Sequence, residues 1–117
     1  MKETKEIRSV LYSDEFNLFY SELDERTKVK YKQGIDILKT VYVLSTKFVK
    51  RIVNTNLYEM RISVGYNEYR TVLFCTDHEN VIQATKIILL NGFLKKSSKD
   101  YNKYIKRAIN ILNNLES

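Results

Sequence analysis

The chain of 117 residues has the length of one globular domain, and 44% of its residues are hydrophobic, as is typical of folded proteins. Its formal net charge of +6 favours anionic partners such as nucleic acid. A single cysteine excludes an internal disulfide. We find no signal peptide and no apolar run near the ~18 residues of a membrane span, so we expect one cytoplasmic domain over residues 1–117 that does not contact membranes.

The first part of the chain predicts a weak strand followed by two helices. The strand covers Glu6 to Tyr12. Ser13 can cap the first helix and Asp24 the second, because both are residue types that accept hydrogen bonds from a first helical turn, and apolar residues follow each at helical spacing. For Ser45 to Asn56 we expect one helical turn followed by a loop.

The stretch from Leu57 to Lys96 predicts three consecutive strands. In the first strand, alternate residues form an apolar set that should face the core, namely Tyr58, Met60, Ile62 and Val64. A short turn leads into the second strand, Glu68 to Thr76, and a third strand lies between Val81 and Phe93. Gly92 indicates a bulge or a close backbone approach near the end of that strand.

The last element is a helix that begins around Ser98 to Asp100. It carries an apolar stripe with a period of 3.6 residues: Tyr101, Tyr104, Ile105, Ala108, Ile109, Leu112 and Leu115. Lysines occupy its other side. This pattern is typical of a helix packed on a sheet.

Metal and nucleotide motifs are absent from the sequence. The one histidine, His78, lies in a polar turn, and Cys75 lies in an apolar strand where a buried thiol is expected. There is no Gly-rich phosphate loop. We therefore predict no metal and no cofactor.

A cluster of cations is the remaining candidate site. Arg61 and Arg70 lie on either side of a short hairpin, so antiparallel pairing can bring them together, and Lys95 and Lys96 follow the third strand. Converging cations suit phosphodiester chemistry, in which negative charge gathers on phosphate oxygens. Such residues at strand ends also commonly extend into solvent.

Two further residue types near this cluster have alternative roles. Glu59 is either a general base or the partner that holds Arg61 in place. Tyr101 and Tyr104 either stack on a base or belong to the core.

The segments LYEMR, EYRTVLF and IILLNGFLKKSS, followed by a helix with KRAINILNNLE, resemble the RelE/ParE toxin superfamily. The resemblance is strongest to its phage-derived, HigB-like branch and spans roughly Lys47 to Leu115. It implies an α+β fold of the order β-α-α-β-β-β-α, with a twisted antiparallel sheet packed against helices.

The resemblance also implies a function. Members are toxins of type II toxin–antitoxin systems, and many are ribosome-dependent mRNA endonucleases that need no metal. The implied partners are a cognate antitoxin of helix-turn-helix type, which would form a hetero-oligomer with the toxin, together with the ribosome and mRNA. A ParE-like inhibitor of DNA gyrase and a non-catalytic RNA-binding module of the same fold are the alternatives.

By motif, Arg61 corresponds to a cation on the phosphate backbone and Arg70 to the arginine that stabilises the scissile phosphate. Lys95 and Lys96 match a lysine pair that supplies a further cation or the acid for the leaving group. Other residues are assigned to RNA contacts: Lys47, Lys50, Arg51, Tyr101 and Tyr104. Glu59 stands where the best-studied ribonucleases have a lysine, and it joins the candidate catalytic set.

Overall fold

The computed structural model describes residues 5–116, which form five strands and three helices. The strands are β1 (Ser9–Tyr12), β2 (Val49–Arg51), β3 (Leu57–Val64), β4 (Asn67–Cys75) and β5 (Lys86–Leu94). The helices are α1 (Asp14–Ser21), α2 (Glu25–Thr40) and α3 (Ser98–Glu116). No helix in this part of the chain is long and apolar enough to cross a membrane.

The strands form one sheet in the order β1-β5-β4-β3-β2. β1 runs parallel to β5, and every other neighbouring pair is antiparallel. The three predicted strands are therefore confirmed as the meander β3-β4-β5. The α+β fold class is confirmed as well. The structure contains one strand, β2, that the expected order β-α-α-β-β-β-α did not include.

The expectation of a loop after the helical turn in Ser45 to Asn56 is wrong. The turn exists, since the amides of Phe48 and Val49 donate to the Ser45 carbonyl at 3.0 and 2.9 Å. The chain then enters β2, which pairs with β3. A strand of three residues is too short to show an alternating pattern, so its pairing with β3 is what defines it.

Both faces of the sheet are covered. The predicted inward set of β3 is buried on the face that carries α1 and α2. The opposite face packs against α3 through Ile105, Ala108 and Leu112. Leu57 on this second face is only 1% exposed, and Glu59 beside it is 6% exposed. A charged residue of β3 is thus enclosed between the sheet and a helix.

Gly92 lies where α1 approaches the sheet. A Cβ atom at this position would meet the ring of Phe19 at 2.3 to 2.8 Å, so only glycine fits. The β4–β5 register also shifts between Val72 and Leu73. The sequence predicted a bulge or a close approach near this strand end, and the structure contains a register shift as well as a close approach.

Candidate functional site

The register of the sheet brings the predicted cations together. Arg61 on β3 lies directly opposite Arg70 on β4, and Lys50 on β2 lies opposite Glu59. The two-residue turn between β3 and β4 sets this register, and Gly65 in that turn has a φ of 60°, which favours glycine. The pairing of Arg61 and Arg70 across the hairpin is therefore as the sequence predicted.

Glu59 lies at the centre of the cluster. Its Oε2 atom is 3.3 Å from Arg61 Nε and 3.0 Å from Arg70 Nε. The Arg70 Nε–H group does not point at the carboxylate, so this second contact is an ion pair without a hydrogen bond. One buried carboxylate thus separates two guanidinium groups that would otherwise repel each other.

Arg70 is held on its other side by β4 itself. Its Nη1 atom donates to the Tyr69 carbonyl at 3.0 Å and lies 3.4 Å from Glu68 Oε1. A hydrogen bond from Ser63 is the largest cause that lowers the pKa of the Glu68 carboxyl, and Arg70 lowers it further. Arg70 itself is only 6% exposed.

Sequence reasoning missed Glu68. The signal was available, because Glu68 precedes Arg70 by two residues in an alternating strand and therefore lies on the same face. Ser63 lies directly opposite Glu68 in the register, and its side chain hydrogen-bonds to the Glu68 carboxylate.

Tyr101 closes the cluster from α3. Its hydroxyl donates to Glu59 Oε1 at 2.5 Å. Burial, and then this hydrogen bond, raise the pKa of the Tyr101 hydroxyl, so it stays protonated and remains a donor. Lys95 Nζ lies 5.7 Å from the centroid of the Tyr101 ring, within range of a cation–π contact.

A groove begins at this cluster and runs between β2 and α3. Its volume is about 460 Å³, which lies within the range of ligand pockets. Among its lining residues are Glu59, Lys95 and Tyr101 from the cluster, and Lys50 and Arg51 from β2. Four of the predicted site residues outside the arginine pair therefore share one groove with Glu59.

Three other predicted residues lie apart from the cluster. Lys96 is exposed and does not line the groove. Tyr104 stacks its ring on Phe93, with centroids 4.3 Å apart and planes 3° apart. Lys47 is exposed in the turn before β2. The sequence grouped these three with the site, and the structure does not bring them to it.

The described residues contain no group of three or more His, Cys, Asp or Glu side chains that could hold a metal ion. His78 lies in the loop before β5, where its Nδ1 accepts from the Asn80 amide at 3.0 Å. Neither finding involves Arg61, Arg70 or Lys95. The arrangement as a whole can bind an anion whose oxygens face Arg61, Arg70 and Lys95, with Glu59 fixing the geometry.

Comparison with known proteins adds a family and a fold. The family model described as "Phage derived protein Gp49-like (DUF891)" matches residues 19–113. No curated protein matches the chain. A solved structure of the Escherichia coli toxin RelE, a double arginine-to-alanine mutant in the free state, is similar with a TM-score of 0.59 and 11% sequence identity. That similarity covers 86% of this chain and 97% of the RelE chain.

Proposed function

The chain belongs to the phage-derived Gp49-like family and has a RelE-like fold, and on that premise we propose that it is a toxin of a type II toxin–antitoxin system. Within the RelE/ParE superfamily we assign it to the HigB-like branch. Its proposed activity is ribosome-dependent cleavage of mRNA. The activity needs no metal or other cofactor in this proposal.

One observation supports this function above the others, which is the placement of Arg61 directly opposite Arg70. Like charges at facing positions destabilise an antiparallel pair. Glu59 and Glu68 offset the charges of the two arginines, and Lys50 and Lys95, which line the adjoining groove, supply the excess of positive charge. A cluster with this excess of positive charge is suited to a ligand with several anionic oxygens, and a phosphodiester is such a ligand.

The proposed reaction is an in-line transfer at phosphorus. The 2′-oxygen of one ribose forms a bond to the adjacent phosphorus, and the bond from phosphorus to the 5′-oxygen of the next nucleotide breaks. The 2′-hydroxyl proton leaves to a base, and the departing 5′-oxygen gains a proton. The products are a 2′,3′-cyclic phosphate and a 5′-hydroxyl end.

In this reaction, Arg70 and Arg61 stabilise the charge that develops on the phosphate oxygens. Lys95, whose amine lies over the Tyr101 ring, neutralises the leaving oxygen in this proposal. Glu59 acts as a positioning residue, because Oε1 already accepts from Tyr101 and Oε2 already faces both arginines. We therefore prefer the holding role of Glu59 over the role of general base.

The partners follow from the same proposal. Lys47, Lys96 and Tyr104 lie outside the cluster, so any contact they make is with RNA beyond the cut. The ribosome supplies the mRNA in an extended form. A cognate antitoxin of helix-turn-helix type would restrain the toxin in the cytoplasm, and an acidic segment of that antitoxin would suit the net charge of +6.

Controlled induction in a bacterial host, followed by mapping of transcript 5′ ends, tests this function. The wild-type chain should arrest growth and produce new 5′-hydroxyl ends within coding regions. Arg61→Ala and Arg70→Lys should remove both effects, since the first deletes a cation and the second loses the planar fork that holds two oxygens. Arg26→Ala, an exposed position at the start of α2, should retain both.

Each variant is first checked for folding by circular dichroism and urea titration. Growth arrest without new transcript ends would contradict cleavage, and a DNA-damage response in its place would favour gyrase inhibition. Binding of RNA that falls with salt, but with no cut under any condition, would favour a non-catalytic module.

A further inference from the structure

A second pocket lies between α1, α2 and the end of β1, and it shares no lining residue with the groove beside the arginine pair. Its volume is about 330 Å³, at the lower end of the range of ligand pockets. Phe16 and Ile35 line its inner side and are only 1% and 8% exposed. Both belong to the core on the face of the sheet that carries α1 and α2. This pocket and the arginine pair therefore lie on opposite faces of the sheet.

Aromatic rings form one wall of the pocket. The Tyr12 and Phe16 rings have centroids 5.8 Å apart and planes 28° apart, and the Phe16 and Tyr20 rings have centroids 6.3 Å apart at the same angle. Lys28 Nζ lies 5.9 Å from the centroid of the Tyr20 ring, within range of a cation–π contact that helps to hold this ring. A flat ring that enters the pocket meets three aromatic side chains, and such pairs attract each other beyond the area that they bury.

Charged residues of α2 form the rim. Lys32, Asp36 and Lys39 are spaced by four and three residues, so they share one face of the helix, and all three line the pocket. Within residues 5–116, these three side chains make no hydrogen bond and no ion pair. A lysine four residues before an aspartate is also the weaker order for a helical ion pair. The rim therefore presents one carboxylate between two ammonium groups, and a ligand can pair with each of them.

From these features we propose that the pocket binds a free aromatic amino acid, a ligand class that combines a flat ring, an ammonium and a carboxylate. The ring lies against Phe16 and Tyr12. The ligand ammonium faces Asp36, and the ligand carboxylate faces Lys32 and Lys39. This inference goes beyond the proposed function and does not depend on it, because it needs neither RNA nor the arginine pair.

The charges of the rim select this ligand over simpler aromatic compounds. An aromatic acid without an ammonium brings a second carboxylate close to Asp36 and leaves that residue without a partner. An aromatic amine without a carboxylate leaves Lys32 and Lys39 unpaired. Only the zwitterion matches the alternating charges, since like charges at short distance repel and opposite charges attract.

Titration of the isotope-labelled protein, followed by nuclear magnetic resonance, tests the pocket. L-phenylalanine should bind with a Kd of about 1 mM, as expected for a ligand of its size, and should shift the backbone amide signals of Asn17 and Asp36. Three compounds each lack one group: N-acetyl-L-phenylalanine lacks the ammonium, L-phenylalaninamide lacks the carboxylate, and L-leucine lacks the ring. Each should bind at least about threefold more weakly.

Variants at the rim should change the order of these ligands. Asp36→Asn removes the partner of the ammonium and also the repulsion of a lone carboxylate, so N-acetyl-L-phenylalanine should then bind more tightly than L-phenylalanine. The double variant Lys32→Gln/Lys39→Gln should prefer L-phenylalaninamide. Glu22→Gln and Lys30→Gln make the same charge changes at exposed positions outside the pocket lining, and both should keep the wild-type order.

Three results would overturn the proposal. The first is no saturable binding of L-phenylalanine up to about 10 mM. The second is equal binding of N-acetyl-L-phenylalanine by the wild type, which would favour the C-terminus of a peptide as the occupant, or equal binding of L-leucine, which would show that the ring is not recognised. The third is an unchanged ligand order in Asp36→Asn. Loss of growth arrest or of transcript cleavage would bear on the proposed function alone, since neither is measured in this titration.

Discussion

The Tyr101 hydroxyl donates to Glu59 Oε1 at 2.5 Å and joins α3 to β3 across 42 residues of sequence. This bond sets the position of the helix start relative to the cations, since the other oxygen of Glu59 faces Arg61 and Arg70. It also places Tyr101 at the border between the cluster and the groove. The phosphate cluster and the groove are therefore parts of one assembly, and changes at Tyr101 should affect both.

Removal of this hydroxyl should destabilise the protein. Tyr101→Phe leaves Glu59 Oε1 without its donor in a buried position, which costs ~1–3 kcal/mol. Urea unfolding monitored by circular dichroism measures the change. Tyr104→Phe is the matched control, because it keeps the ring that stacks on Phe93, and it should change stability by less than ~0.5 kcal/mol. Equal losses in the two variants would show that the Glu59 contact contributes nothing.

The ion pair between Glu59 and Arg70 should show strong coupling. Both side chains are 7% exposed, so removing either one leaves a buried charge whose remaining partner is more exposed, Arg61 for Glu59 and Glu68 for Arg70. Breaking a buried pair in this way typically costs ~3–5 kcal/mol. Glu59→Gln and Arg70→Met should each be destabilising, and the double variant should be less so than their sum.

A double-mutant cycle by urea titration gives the coupling, which we expect at ~0.5–3 kcal/mol. Arg61, whose side chain is 32% exposed, provides the comparison: its coupling to Glu59 should be smaller because solvent screens it. Strict additivity for Glu59 and Arg70 would contradict this geometry.

Arg8 should be essential for folding. It is buried with five hydrogen bonds to backbone carbonyls. The acceptors belong to the end of α2 and the loop before β5: Leu38, Val41, Tyr42, Val81 and Ile82. Arg8→Lys keeps the charge but cannot reach all five, and each buried group left unpaired costs ~1–3 kcal/mol.

We therefore expect Arg8→Lys to lose more than ~4 kcal/mol or to be insoluble, as measured by thermal unfolding. Arg26→Lys, the same change at an exposed position on α2, should be neutral. A melting temperature within a few degrees of wild type for Arg8→Lys would show that water replaces the lost bonds.

Gly92→Ala should be destabilising through a steric clash. The new methyl group would lie 2.3 to 2.8 Å from three atoms of the Phe19 ring, and overpacking of this kind costs ~1–3 kcal/mol. Phe19→Leu removes the ring atoms at fault. The double variant should thus be more stable than the sum of the two single changes predicts, as judged by urea titration. Additive losses would place the strain elsewhere.

The Cys75 thiol should be unreactive in the folded protein. Burial raises its pKa from 9.0 to about 12, so the native thiol stays protonated between pH 9 and 12 while the unfolded thiol ionises. Because the folded pKa is the higher one, the stability that this group contributes is complete below pH 9 and is lost as pH rises toward 12. Iodoacetamide labelling should remain slow from pH 7 to 10 and become fast in urea. Rapid labelling of native protein at pH 9 would contradict the burial.

Local elements followed from local sequence. Ser13 Oγ accepts from the Phe16 amide at 3.0 Å, and Asp24 Oδ1 accepts from the Thr27 amide at 2.8 Å. Both caps were predicted because capping depends on residues three positions apart. The burial of Met60 on one face of β3 was also predicted, because it follows from the alternation of apolar and polar residues within that strand. In contrast, β2 exists because it pairs with β3, and no pattern within three residues indicates it.

The candidate site could be predicted only in part, because most of its contacts join residues that are far apart in the sequence. Arg61 and Arg70 could be paired because a short turn sets their register. Lys95 and Lys96 could not be told apart, because both follow the end of β5 and only the structure shows that Lys95 reaches the Tyr101 ring and the groove. Tyr101 and Tyr104 share a helical stripe, and nothing in that stripe says which of them reaches the carboxylate.

The amino-acid sequence by itself determined the order of the helices and of every strand except β2, the buried face of β3 and the positive charge of the site, because each depends on residues close together in the chain. Only the tertiary structure decided that Glu59 holds both arginines and accepts from Tyr101. These contacts depend on where α3 lies on the sheet, and that placement comes from packing over the whole domain.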